Sequence, residues 1–134
     1  MKQVFNAGLY DVSPFGFEFS RCDEVLHAKG ERFDIIDDVS LANRRTFAYE
    51  DVGFPDGIHT DVEGNVWTAA GDGVHVYSGK GQLLGKIFTG ELTNNFAFLP
   101  GKVLLFSNKD LWIVENVKAV GREICRDFGV CGPY

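Results

Sequence analysis

A near-repeat within the chain limits its fold more than any other feature. Sliding the sequence so that Pro55 falls on Pro14 also sets Gly57 on Gly16, Val66 on Val25, Trp67 on Leu26, Ala69 on Ala28 and Gly71 on Gly30. The same shift sets Ile58 on Phe17, Val74 on Phe33, Val76 on Ile35 and Phe88 on Phe47. A second shift, in the other direction, sets Gly64 on Gly101, Val66 on Val103, Trp67 on Leu104, Val74 on Leu111, Val76 on Ile113 and Ile87 on Ile124. One shift serves each comparison along its whole length, so the chain reads as a tandem of three units. A spacing of roughly 40 residues is that of repeats built from one supersecondary unit each.

The middle unit shows what that unit is. Four short apolar runs, Gly57–Thr60, Val66–Ala70, Val74–Tyr77 and Leu83–Phe88, are separated by turn-forming segments at 61–65, 71–73 and 78–81. Gly supplies positive φ in such turns, and Asp or Asn closes them by bonding nearby backbone. A helical reading is poor, because glycines interrupt every candidate helix and Phe, Val and Ile dominate the apolar runs. The expectation is an all-β chain in which each unit is a four-stranded antiparallel meander, the blade of a β-propeller.

The units are expected at about 14–49, 55–89 and 94–126. The first would hold strands Phe17–Ser20, Glu24–Ala28, Phe33–Ile36 and Arg44–Ala48. The third would hold Asn95–Leu99, Lys102–Phe106, Leu111–Glu115 and Gly121–Arg126. Within residues 1–13, Gln3–Ala7 would be the outermost strand of a preceding unit, and 127–134 a tail. Propellers close with roughly four to eight blades, so three blades imply either part of a longer ring or two copies completing a six-bladed one.

A net charge of −6 argues against nucleic acid or an anionic membrane as partner. No apolar run is long enough for a signal peptide or a membrane-spanning helix, which makes the cytoplasm the default location. Cys22, Cys125 and Cys131 are odd in number and lack CxxC spacing, so neither a disulfide framework nor a structural zinc site is expected. Cys125 and Cys131 could pair if the tail doubled back, but idle or buried thiols are the simpler reading. His27, His59 and His75 show no HxH or HExxH spacing and there is no GxSxG elbow, so a zinc site or a serine triad is unsupported. Trp67 and Trp112 read as packing between units.

The segments PDGIHTDVEGNVW, GVHVYSGKGQLLGKI and TNNFAF resemble the later blades of the senescence marker protein/gluconolactonase/luciferin-regenerating enzyme-like family. PFGFEFSRCDEVL followed by ERFDIIDD is similar to the blade before them. The resemblance implies the later half of a six-bladed propeller that hydrolyses lactones around one divalent cation. It places that cation where the innermost strands enter the central channel, on oxygen ligands that suit Ca²⁺, with Zn²⁺ or Mn²⁺ as alternatives.

Asp56 of the PDG turn matches the family's ligand set, as metal ligand and candidate catalytic residue; as a bare sequence feature it is a turn residue after proline. Asn95 and His59 are candidate channel residues, against the plainer readings of a turn tie and a surface histidine. The family's Asn ligand falls on Phe15, which offers no lone pair, and its early-blade Glu has no counterpart. Two functions therefore stand side by side: part of a metal-dependent lactonase acting on a small lactone, or a non-catalytic propeller module for packing or interaction. Asp61 and Asn65 read as turn-formers.

Overall fold

A computed structural model describes residues 3–8, 29–37 and 40–132. Among these residues there are three antiparallel sheets and one short helix. The first sheet contains β1 (Gln3–Gly8), β2 (Lys29–Asp37) and β3 (Ser40–Tyr49), in that order. The second contains β4 (Ile58–Thr60), β5 (Val66–Ala70), β6 (Gly73–Tyr77) and β7 (Leu83–Phe88). The third contains β8 (Thr93–Leu99), β9 (Lys102–Ser107) and β10 (Leu111–Glu115). No helix among the described residues is long and apolar enough to cross a membrane.

The middle sheet is the meander expected from its turns. Gly64 and Gly81 sit at positive φ where the chain reverses. Gly73 opens β6 at φ 144, and a side chain there would run into the backbone carbonyl of Ile87. Register then follows the period of two along each strand. Trp67 pairs with Val76 and Ala69 with Val74, on one face; Thr68 pairs with His75, on the other.

The face bearing Trp67, Ala69 and Val74 packs against the third sheet's Phe96, Phe98, Val103 and Leu105, and this is the hydrophobic core. Register puts Phe96 opposite Leu105 and Phe98 opposite Val103, so all four point toward the middle sheet. Trp67 meets Phe98 edge-on with ring centroids 5.0 Å apart, the geometry that aromatic quadrupoles favour.

Four expectations change. Gln3–Ala7 does not belong to a preceding unit: β1 pairs antiparallel with β2, Gln3 opposite Asp34 through Gly8 opposite Lys29, inside the first sheet. The expected strands Phe17–Ser20 and Glu24–Ala28 lie outside the described residues, whereas Phe33–Ile36 and Arg44–Ala48 fall within β2 and β3.

Gly121–Arg126 is not a fourth strand but runs into α1 (Arg122–Phe128). Gly129 ends α1 in the left-handed conformation, its N–H bonding the Cys125 carbonyl. A helix of seven residues is too short to stand alone in water. Burial of Ile124 in the core and a Cys125–Cys131 disulfide hold it, so those two cysteines pair after all. Trp112 has the phase expected of a packing residue but lies at the sheet edge, half exposed, its indole N–H donating to Glu91 Oε1 at 2.8 Å.

Candidate functional site

The innermost strands of the second and third sheets meet at their N-terminal ends. The Asp56 N–H donates to the Ala69 carbonyl at 2.9 Å, seating the PDG turn on β5. The next amide, of Gly57, leaves its own sheet and donates to the Asn94 carbonyl at 2.9 Å. Glycine is needed there, because a Cβ on residue 57 would overlap the Asn95 side chain. The turns bearing Asp56 and Asn95 therefore lie side by side at one end of the two sheets. Pro14 and Phe15, which the repeat sets against Pro55 and Asp56, are outside the described residues.

Asp56 is exposed. Asn95 is exposed too, with its Oδ1 accepting from the Phe96 N–H at 2.8 Å. His59 lies further along β4, half buried, its ring edge-on to Phe96 at 4.8 Å and its Nδ1 3.0 Å from Glu123 Oε1. With Ile58, Thr60, Arg122, Glu123 and Arg126 it lines an open hollow of about 360 Å³ between β4 and α1. The structure thus joins Asp56 with Asn95 and sets His59 apart, facing the C-terminal helix. A carboxylate and an amide oxygen are suitable donors for a hard cation, which takes six to eight oxygens. They fit part of such a site.

A second polar constellation is buried where the first sheet hands over to the second. His75 is fully buried. Its Nδ1 bonds Glu50 Oε2, and its Nε2 bonds Asp72 Oδ1 at 2.6 Å. Glu50 also accepts from the Thr68 hydroxyl at 2.6 Å and the Tyr77 hydroxyl at 3.0 Å. Lys86, next to His75 across the strand pair, bonds Asp51 at 2.8 Å and reaches Asp72 at 3.5 Å.

With both ring nitrogens facing carboxylates, both donate, and the imidazole carries a positive charge. Burial works against that charge, but the hydrogen bonds to Glu50 and Asp72 outweigh it and raise the His75 pKa. Burial, and then the Glu50 carboxylate beside it, push the Tyr77 hydroxyl upward. The Lys86 ammonium draws the Asp51 carboxyl below its ordinary value. Glu50, Asp51 and His75 bring ligand atoms within 4.8 Å of one another, a spacing a cation could bridge. To act as ligands, however, Glu50 and His75 would have to give up the bonds that already satisfy them.

Comparison with known proteins decides the family. Residues 22–113 match the SMP-30/gluconolactonase/LRE-like region. The chain belongs to that family.

Among solved structures, the gluconolactonase of Xanthomonas campestris is similar to it, with 32% identity, a TM-score of 0.61, and coverage of 66% of this chain and 30% of its own. A second structure, assigned as a gluconolactonase, superposes with a TM-score of 0.66 over 71% of this chain and 36% of its own. At 23% identity it bears on the fold alone. No curated protein matches. The chain spans about a third of the length of either solved relative. Its sheets are thus a portion of a gluconolactonase-like β-propeller.

The Glu50–His75–Asp72 network was not anticipated, although the sequence carries its signal. Strand alternation in VWTAA and GVHVY puts Thr68 and His75 on one face, between neighbours that are mostly apolar. Two polar residues at buried positions of neighbouring strands call for partners. Glu50, which supplies them, lies outside the unit, and only folding brings it near.

Proposed function

We propose that this chain supplies part of a metal-dependent lactone-hydrolysing propeller, with Asp56 as a ligand and candidate base at the mouth of the channel. The observation that carries this reading is the Gly57–Asn94 hydrogen bond, which sets the turns of Asp56 and Asn95 together at one end of adjoining inner strands. A bound cation, Ca²⁺ before Zn²⁺ or Mn²⁺, would polarise the lactone carbonyl as a Lewis acid. The exposed Asp56 carboxylate would hold it or take a proton from water. The exposed Asn95 side chain, its Oδ1 bonded to the Phe96 N–H of its own strand, would offer its NH2 group to the substrate.

Titration calorimetry with Ca²⁺, Zn²⁺ and Mn²⁺ tests the reading. Micromolar heat that disappears in Asp56→Ala is expected, and no heat in either protein refutes it. The second reading, a non-catalytic packing or interaction module, draws support from Asp56 itself. Asp56 stands outside the one group of three His, Cys, Asp or Glu that converges among the described residues. Two copies completing one ring are the proposed assembly under either reading. Light scattering that gives a monodisperse dimer supports it, and a monomer refutes it.

A further inference from the structure

Asp56 ends a loop that starts directly after β3, and the buried network grips that loop at its other end. Glu50 and Asp51 are its first residues, and they bind His75 and Lys86. Farther along, the Val52 carbonyl accepts from the Gly71 N–H at 2.9 Å. Gly53, at φ 70, passes so close to Gly71 that an added Cβ would meet the Gly71 Cα at 2.7 Å. Pro55 is buried, and the Asp56 N–H bonds Ala69. The loop is thus bonded to β5 and the β5–β6 turn, and its charged anchor lies on the hairpin face that bears Thr68 and His75.

We propose that His75 is the positioning residue for Asp56. It pins the start of the 50–56 loop through Glu50 on one ring nitrogen and is itself held to the hairpin through Asp72 on the other. The inference rests on the reading of Asp56 as a ligand only for its consequence, not for the pinning. The geometry requires the doubly protonated ring, since a neutral imidazole has one N–H and would turn a nitrogen lone pair on one of the two carboxylates. The charged and titratable groups around it are Glu50 and Asp51 from the loop, Asp72 from the β5–β6 turn, Tyr77 from β6 and Lys86 from β7. Of these only Lys86 opposes the positive ring, and it is neutralised by Asp51 and Asp72.

The folded His75 pKa lies above its ordinary value, so the pin is complete below about pH 6.5 and is lost as pH rises through the higher folded value. Backbone hydrogen exchange followed residue by residue tests this directly. In His75→Gln, the amides of Asp56 and Gly71 should lose protection by about ten-fold or more, the scale of one charge-assisted hydrogen bond. The Phe98 and Val103 amides of the third sheet should keep theirs. In the unaltered protein the same two amides should lose protection on raising the pH, beyond the ordinary base-catalysed rise, and His75→Gln should lack that dependence.

Asp72→Asn, which keeps an acceptor for Nε2 and removes its charge, serves if His75→Gln does not fold. It should shift the pH profile downward. Unchanged protection of Asp56 in a folded variant overturns the proposal, as does an equal loss across both sheets. If Ca²⁺ binds, its Kd should rise in His75→Gln in step with the lost protection. If no cation binds at all, the ligand reading fails, and the exchange data still decide the pin.

Discussion

Replacing Asp61 by alanine separates a turn built by hydrogen bonds from a cation-binding loop. Asp61 is 2% exposed, and its carboxylate accepts from the Asn65 N–H at 2.8 Å, the Asn65 side-chain amide at 2.9 Å and the Trp67 indole N–H at 3.0 Å. Alanine removes all three and leaves the buried indole N–H without an acceptor. Bonds to a charged acceptor are each worth about 1.5–3 kcal/mol, and an orphaned buried donor costs about 1–3 kcal/mol. Losing the cost of burying the carboxylate offsets part of that. The three bonds share one acceptor group and do not add, so a net loss of about 2–4 kcal/mol is expected.

Urea unfolding at 25 °C, followed by far-ultraviolet circular dichroism, measures the loss; it should amount to roughly 10 °C in a thermal scan. Asp61→Asn keeps one acceptor oxygen and should lose about half as much. Neither difference should depend on added Ca²⁺. A loss under about 0.5 kcal/mol for alanine would place Asp61 outside the set of energetically important bonds. A loss that appears only with Ca²⁺ present would mark the turn as a cation-binding loop instead.

Gly73→Ala should cost more than about 3 kcal/mol or prevent folding, because a β-carbon at φ 144 runs into the Ile87 carbonyl; soluble yield and urea midpoint are the readouts. Cys131→Ser should loosen α1 locally, with about 2 kcal/mol lost from a short loop closure, and exchange should rise in 122–128 while the core strands keep their protection. Asp34 is drawn down to about 2, first by its hydrogen bonds with Arg45 and then by Asn43. Its folded value lies below the unfolded one, so the stability it contributes is full above about pH 4 and fades as pH falls toward 2. In Arg45→Met, carboxyl-carbon resonances should show the Asp34 midpoint returning toward 4, and an unmoved midpoint would refute the pairing.

The second sheet was legible because every determinant of it is local. Turn residues, strand alternation and the glycine positions all lie within the same stretch, and its four strands form where they were expected. The side-by-side placement of Asp56 and Asn95 was legible for a different reason, since repeat equivalence fixes which turns share an end. What sequence did not reveal depends on partners far along the chain. Residues 122–128 carry the residue pattern of either a strand or a helix. Burial of Ile124 in the core, and the disulfide between Cys125 and Cys131, settle it as helix. Gln3–Ala7 reads as a strand from its own residues, but only its register with β2 says to which sheet it belongs. The His75 network needed Glu50 from the loop between the first two units, and no local pattern announces a partner so distant.

The repeat also says what the third sheet lacks. The shift that carries Val66 onto Val103 places Trp67, Ala69 and Val74 of the buried middle face on Leu104, Phe106 and Leu111. The first set is at most 7% exposed, whereas Phe106 and Leu111 are 44% and 60% exposed, as is Ile113 at 58%. Register confirms that they share one face, Leu111 opposite Phe106 and Ile113 opposite Leu104. One face of the unit is thus used twice, covered by a following sheet in the first instance and open in the second. Strand β10 takes the place of β6, yet no strand among the described residues pairs with it as β7 pairs with β6. An open apolar face beside an open edge is what further propeller sheets would cover and what water does not tolerate well. That demand is physical and independent of any catalytic residue, so the assembly proposed for this chain stands or falls apart from the lactonase reading.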